Sequence, residues 1–251
     1  VKVLVVIPAR YGSTRFPGKP LALLRDKKTL IQHVYENSKG SRLASDVVVA
    51  TDSEEVLKGV TAFGGRAVMT SKEHPSGTDR AAEVASAMDC DIIVNVQGDE
   101  PLIRPEMIDA VARLLEDGRA AMGTLAKRIE SPGEMLDPNV VKVAFDSEGF
   151  AMYFSRAPIP YHRDQWKTLE GVYGSRFTAY KHIGIYSYRK DALIKISRLE
   201  PSALERIERL EQLRALENGM RIKVKETSLD TIGVDTPEDL EKVERCLSIS
   251  S

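Results

Sequence analysis

The sequence predicts an α/β fold, a parallel sheet with helices on both faces, and three observations lead there. Apolar runs at Val3–Ile7, Asp46–Thr51 and Asp91–Gln97 are nearly continuous rather than alternating, as strands buried on both faces read. Segments of helical periodicity separate these runs, which requires crossover connections and parallel strands. The first and third runs open at their carboxyl ends into polar loops, where ligands of open α/β sheets bind.

In chain order, Val3–Ile7 leads into the loop Pro8–Pro20. Arg10, Arg15 and Lys19, the hydroxyls of Ser13 and Thr14, and Gly12 and Gly18 suit an anion there. The plainer reading is a solvated basic loop. A helix follows at Thr29–Ser38, with Leu30, Ile31 and Val34 on one face. After Asp46–Thr51, Asp52 reads as a helix N-cap with Glu55 completing a capping box, which gives Asp52 a structural role. A short strand at Arg66–Met69 leads through Thr70–Arg80 to a helix ending near Met88. Asp91–Gln97 is then followed by a helix at Arg104–Glu116, stopped by Gly118.

The second half changes character. Val140–Phe145 and Phe150–Ser155 form a hairpin around Asp146–Gly149, and Ala157–Tyr161 is irregular. A strand at His182–Tyr188, one long helix at Pro201–Glu217, a strand at Arg221–Glu226 and a helix from Thr236 complete the chain. This half is expected to finish the sheet and to carry a substrate lid or a dimer surface.

The 251 residues suffice for one large α/β domain, and 42% hydrophobic with 29% charged residues describe an ordinary globular protein. A formal net charge of −1 argues against a general nucleic-acid binder. The N-terminal apolar run is broken by Pro8 and Arg10, too short for a membrane span and unlike a signal peptide. Cys90 and Cys246 stand alone, which indicates neither a zinc site nor a disulfide framework. A cytoplasmic protein without membrane insertion is expected.

Several constellations fit chemistry. Asp99 follows the third strand and shares a sheet edge with the basic loop; it fits a Mg²⁺ ligand beside a polyphosphate and, equally, a turn residue. Pro237 suits the first helical position, making Thr236 the cap and Asp239 its partner, so Asp235 lies one residue outside the helix. Ser76-Gly77-Thr78-Asp79-Arg80 fits a helix start or a nucleotide-base lining. His182, Gly184 and Tyr186 share one strand face, with Ile183 and Ile185 on the other. On the long helix, Leu204, Ile207, Leu210, Leu213 and Leu216 sweep an apolar arc of about 240° that encloses Glu211, with Gln212 at its edge. Either Arg214 pairs with Glu211, or Glu211 and Gln212 bind a hydroxyl-rich ligand.

Taken together, these motifs resemble the sugar nucleotidyltransferases. Pro-Ala-Arg-Tyr-Gly-Ser-Thr-Arg-Phe-Pro-Gly-Lys-Pro-Leu at 8–21 resembles their signature loop, as do residues 74–80 and Asn95-Val96-Gln97-Gly98-Asp99-Glu100-Pro101. Tyr153-Phe154-Ser155-Arg156, His182-Ile183-Gly184-Ile185-Tyr186, Leu210-Glu211-Gln212-Leu213-Arg214 and Gly233-Val234-Asp235-Thr236-Pro237 narrow the resemblance to the 3-deoxy-manno-octulosonate (Kdo) cytidylyltransferase family.

The resemblance implies a Rossmann-like, glycosyltransferase-A-type fold with a mostly parallel mixed sheet and flanking helices, in a homodimer. It implies CTP and Kdo as substrates, CMP-Kdo and pyrophosphate as products, Mg²⁺ as cofactor, and a place in lipopolysaccharide synthesis. Arg10, Ser13, Arg15 and Lys19 would hold the CTP phosphates; Ala9, Ser76, Gly77 and Arg80 would frame the cytidine. Asp99 and Asp235 would bind Mg²⁺, and Gln97, Arg156, His182, Tyr186, Glu211 and Gln212 would contact the sugar acid. Residues 1–130 would form the nucleotide-binding half, 131–232 the sugar-binding and dimerisation half, and 233–251 the metal-binding turn and last helix. The alternatives are a cytidylyltransferase for another sugar acid (the 8-amino analogue of Kdo, or sialic acid), a non-catalytic nucleotide-binding protein, and a dinucleotide-binding oxidoreductase. The last lacks a GxGxxG after its first strand.

Overall fold

The computed structural model describes residues 1–12, 16–163 and 178–249. The main sheet runs β3-β2-β1-β4-β8-β5-β9, with strands β1 (Val3–Ala9), β2 (Ala44–Thr51), β3 (Ala67–Met69), β4 (Ile92–Asn95), β5 (Met122–Arg128), β8 (Tyr180–Arg189) and β9 (Ile222–Glu226). β1 to β4 pair in parallel, and β5 pairs in parallel with β9. The sheet is mixed because β8 lies antiparallel between β4 and β5. A hairpin of β6 (Lys142–Phe145) and β7 (Ala151–Ser155) attaches to β8 through β6.

Helices cover both faces. One apolar layer joins Val3, Val5 and Ile7 to Ile31 and Val34 of α1 (Leu30–Lys39), Val56 and Val60 of α2 (Glu54–Ala62), and Met107, Ile108 and Val111 of α4 (Pro105–Arg113). The opposite layer joins Leu4, Val6 and Ile93 to Ala81, Val84 and Ala85 of α3 (Gly77–Ala87). The helix Lys190–Ser197 follows α5 (Pro132–Leu136) as α6, and its Leu193 and Ile196 enter the same layer. The last helix, here α9 (Pro237–Ile249), docks by Val243, which packs with Leu24, Leu30 and Val234. Among the described residues no helix is long and apolar enough to cross a membrane.

Three expectations change, and one strand is added. β5 has no counterpart in the sequence reading, since Met-Gly-Thr-Leu-Ala-Lys-Arg is neither an apolar run nor an alternating one, yet Met122, Thr124, Leu125 and Ala126 are buried. Ser53, not Asp52, caps α2: its Oγ accepts from the Val56 amide, while Asp52 accepts from the Arg80 guanidinium at 2.7 Å. The segment Arg104–Glu116 ends in a 3-10 turn at Leu114–Glu116 rather than as one α-helix. The long helix is two short ones, α7 (Ala203–Glu208) and α8 (Gln212–Glu217), broken where Arg209 takes a left-handed φ of 55°.

The physical cause of that break is tertiary. Glu208 turns to the Ser155 hydroxyl at 2.6 Å and the Arg156 amide at 2.9 Å, and Ile207 is left 77% exposed while Leu210 and Leu213 are buried. Arg214 consequently pairs with Glu205, not with Glu211, through two bonds of 2.8 and 2.6 Å. Their side chains are only 9% and 12% exposed. Glu205→Ala leaves this guanidinium unpaired and is expected to cost about 3 kcal/mol in urea unfolding. A loss under about 1 kcal/mol would place the pair among surface ion pairs.

Candidate active site

The parallel β1–β4 register sets Val6 opposite Asn95, so the loops after the two strands leave the same sheet edge. They approach closely at Gly98, where a Cβ would lie 2.5 Å from the Pro8 carbonyl oxygen; only glycine fits. Between them lies a cleft of about 260 Å³ lined by Ala9, Arg10, Lys19, Gly77, Gln97 and Asp99, among others.

Three distant segments converge on it. Gly18, at φ 71°, turns the chain into a 3-10 turn that begins at Lys19, and its amide donates to the Tyr11 carbonyl at 3.0 Å. The Lys19 ammonium, 12% exposed, donates to Asp99 Oδ2 at 2.7 Å and lies 3.3 Å from Asp235 Oδ1. Asp235 arrives because the Val234 amide donates to the Asp99 carbonyl at 2.9 Å. Thr236 caps the last helix with Asp239 as the sequence implied: the Asp239 amide donates to Thr236 Oγ1 at 3.3 Å, and the Thr236 amide to Asp239 Oδ2 at 3.1 Å. Arg10 donates to the His74 carbonyl at 2.7 Å.

At the start of α3, Ser76 Oγ accepts from the Asp79 amide and donates to the Asp79 carboxylate, so its hydroxyl is a helix cap. Arg80 lies fully buried beneath, on Asp52 and Thr70. Thr78 donates to Glu211, which ties the start of α8 to the start of α3. Gln212 is buried at the first turn of α8.

β8 borders the same region, since Tyr186 pairs with Asn95 on β4. As expected, Ile183 and Ile185 are buried in one layer while His182, Gly184 and Tyr186 are half-buried on the other face. The His182 ring stands edge-on to Phe154 at 5.2 Å and tilts against Tyr186 at 5.2 Å. Burial pushes its pKa down to about 3, and burial raises the Tyr186 phenol well above its ordinary value. Arg156 is held by its Nε on the Glu208 carbonyl at 2.7 Å and its Nη1 on the Pro138 carbonyl at 2.8 Å.

The structure therefore gathers Arg10, Lys19, Gln97 and Asp99 in one cleft, with Gly77 at its wall and Asp235 joined to it through Lys19. Glu211 is tied to Thr78, next to Gly77 of the cleft wall, while Tyr186 pairs with Asn95 of β4 and His182 stacks beside Tyr186. Ser13 and Arg15 lie outside the described residues.

Some residues of the site region had no expectation attached. Glu100 has its carboxyl 3.4 Å from where a Gly184 Cβ would stand, one oxygen buried with no hydrogen-bond partner among the described residues, and a pKa pushed up to about 8 by burial and then by Asp99. Lys142 is fully buried on the Asp137, Val140 and Arg156 carbonyls at 2.7 to 2.9 Å, and burial lowers its pKa. Its neighbours in sequence, Val-Val-Lys-Val, carried no signal except an unpaired charge inside an apolar run.

Among the described residues no three His, Cys, Asp or Glu side chains meet as a metal cage. Two carboxylates sharing one ammonium do fit a magnesium ion, which takes one or two protein carboxylates and completes its shell with substrate phosphates and water.

A cytidylyltransferase family model matches residues 4–222. The 3-deoxy-manno-octulosonate cytidylyltransferase of Geobacter metallireducens is 56% identical over 251 residues, covering 99% of this chain and 98% of that protein. The chain belongs to the 3-deoxy-manno-octulosonate cytidylyltransferase family. The family's enzyme from Thermodesulfovibrio yellowstonii is 52% identical over 99% of both chains. A solved CMP:2-keto-3-deoxy-manno-octonic acid synthetase, in complex with CTP, superposes with a TM-score of 0.92 at 42% identity, covering 100% of each chain. A Leptospira borgpetersenii cytidylyltransferase, 20% identical with a TM-score of 0.64 over 99% of this chain and 87% of that one, shares the fold.

The His182 value sets a pH test. Its neutral ring stays neutral between pH 5 and 8, so its NMR resonances do not shift across that range; a midpoint near 6.5 would contradict the burial. Because the folded value is depressed, its contribution to stability is present above 6.5 and is lost as the pH falls below it, where the unfolded chain takes up a proton that the folded ring refuses.

Proposed function

We propose that this cleft joins CTP to Kdo, giving CMP-Kdo and pyrophosphate and so activating Kdo for lipopolysaccharide assembly. The observation that carries the reading is the convergence of Lys19, Asp99 and Asp235 beside Arg10, in a chain matching a CTP-bound synthetase over its whole length.

The anomeric hydroxyl of Kdo attacks the α-phosphorus of CTP in line, and pyrophosphate leaves. Both substrates are anionic, so the chain must bring them together against their repulsion. Arg10 and Lys19, with Ser13 and Arg15 of the same loop, take the phosphates; arginine does so as a fork and lysine as a point charge. Held before the reaction begins, these donors stabilise charge that develops on the transferring group without reorganising. Ala9, Ser76 and Gly77 frame the cytidine, and Arg80 supports them from below through Asp52 and Thr70. Asp99 and Asp235 would hold Mg²⁺, which when bound neutralises phosphate charge and orients the reacting oxygens.

Arg156 offers positive charge to the sugar acid, its guanidinium fixed by the Glu208 and Pro138 carbonyls. Gln97, His182, Tyr186, Glu211 and Gln212 supply the polar contacts that a polyhydroxylated ligand needs. In the same reading residues 1–130 bind nucleotide, 131–232 bind sugar and form a homodimer, and 233–251 carry the metal turn and last helix.

The test is pyrophosphate release from CTP, UTP and GTP, each offered with Kdo, its 8-amino analogue and sialic acid. CTP with Kdo should show the highest kcat/KM; preference for UTP or for sialic acid would contradict the assignment. Asp99→Asn and Asp235→Asn should each lower kcat by on the order of a hundredfold with thermal unfolding unchanged. Near-normal Mg²⁺-dependent rates in both variants would remove the metal role.

A further inference from the structure

The β5–β8 pairing contains an irregularity beside the sugar-acid residues. Thr124 pairs with Tyr186, but the next residue, Leu125, pairs with Ile183. Gly184 and Ile185 are therefore extra residues on β8, and the strand bulges there. Bulges leave ladder carbonyls without amide partners, and a hydroxyl from the facing strand can satisfy them. Thr124 does this: fully buried, its Oγ1 lies 2.8 Å from the Ile185 carbonyl and 3.2 Å from the Ile183 carbonyl.

The same oxygen lies 2.9 Å from His182 Nε2. A threonine hydroxyl has one proton and two lone pairs. Both carbonyls are acceptors only, so the proton goes to them, chiefly to Ile185 at the shorter distance. What remains for His182 is a lone pair, and Nε2 must carry hydrogen to use it. The opposite tautomer would set a hydroxyl donating to nitrogen while two carbonyl oxygens crowd it with no proton between.

We propose that Thr124 is a positioning residue whose hydroxyl fixes His182 as the Nε2–H tautomer, making Nδ1 an acceptor that takes a hydroxyl of the sugar acid and not its carboxylate. This rests on the sugar pocket proposed above. No described residue donates to Nδ1 in the hydrogen bonds of the structure. A neutral ring with its one proton committed to Thr124 has nothing to offer a carboxylate, whose negative charge belongs with Arg156. The ring's low affinity for protons keeps this polarity constant across the physiological pH range. Selectivity follows from the polarity: a substrate that turns a carbonyl or carboxylate oxygen to this point meets a lone pair, while one that turns a hydroxyl is bound.

The test uses the full-length enzyme with ¹⁵N-labelled histidine, His182 being assigned by the signal lost in His182→Gln. In the unmodified protein without substrate, the nitrogen lacking hydrogen should be Nδ1. Thr124→Val exchanges the hydroxyl for a methyl of similar size; it should shift the tautomer towards Nδ1–H and raise KM for Kdo about tenfold, with KM for CTP within about twofold. Thr124→Ser should restore both, which a loss of packing would not allow. An Nδ1–H ring in the unmodified protein overturns the proposal. So does an unchanged tautomer in Thr124→Val, or a changed tautomer with an unchanged KM for Kdo. If Thr124→Val does not fold, the unmodified protein and Thr124→Ser still decide the tautomer. Failure of the unmodified enzyme to use Kdo would overturn the functional reading beneath, and is told apart because the tautomer is read without substrate.

Discussion

The Lys19 ammonium between Asp99 and Asp235 is the constraint on which the rest of the site depends. Two carboxylates near one point repel and resist ionising together unless a cation lies between them. Here the cation comes from the loop after β1, one carboxylate from the loop after β4, and the other from the turn before the last helix. Each must be placed to within an ångström or so by structure that has no charge of its own. The parallel β1–β4 register does this for the first two, and a side chain at position 98 would push them apart. A single backbone bond from Val234 to Asp99 does it for the third, and the last helix holds that bond by burying Val243.

The second half of the chain is built around a different constraint, the insertion of β8 between β4 and β5. This reversed strand carries its half-buried polar face towards the cleft, since Tyr186 lies beside Asn95. It bulges opposite Thr124, which orients His182, and it supports β6, through which Lys142 gathers the Asp137, Val140 and Arg156 carbonyls. Glu208, the last residue of α7, holds Arg156 from the other side. The broken helix thus trades an apolar contact at Ile207 for a fixed guanidinium.

The parts legible in the sequence were those whose signal is local. Continuous apolar runs placed β1, β2 and β4, and the Thr236-Pro237 cap set Asp235 just outside its helix. The positions of Arg10, Lys19 and Asp99 followed from one rule, that parallel strands end on the same edge. What was hidden depends on partners remote in the chain. β5 is buried by its neighbours rather than marked by its own pattern, and Thr124 is hidden with it. Likewise, the periodicity of Leu204 to Leu216 described one helix, because nothing in it records that Ser155 and Arg156 take Glu208. Arg80 and Ser76, grouped by motif, differ in role: Arg80 is buried on Asp52, and Ser76 caps α3.

The most direct test of the account is binding of Mn²⁺, read by its electron paramagnetic resonance signal, with and without CTP. If Lys19, Asp99 and Asp235 make one metal–triphosphate centre, CTP should tighten Mn²⁺ binding to the unmodified protein. Asp99→Asn and Asp235→Asn should each weaken the CTP-dependent binding by about tenfold or more, and Lys19→Met should weaken CTP while leaving both carboxylates able to bind Mn²⁺. Mn²⁺ and CTP binding with full affinity to the double Asp99→Asn, Asp235→Asn variant would contradict the account.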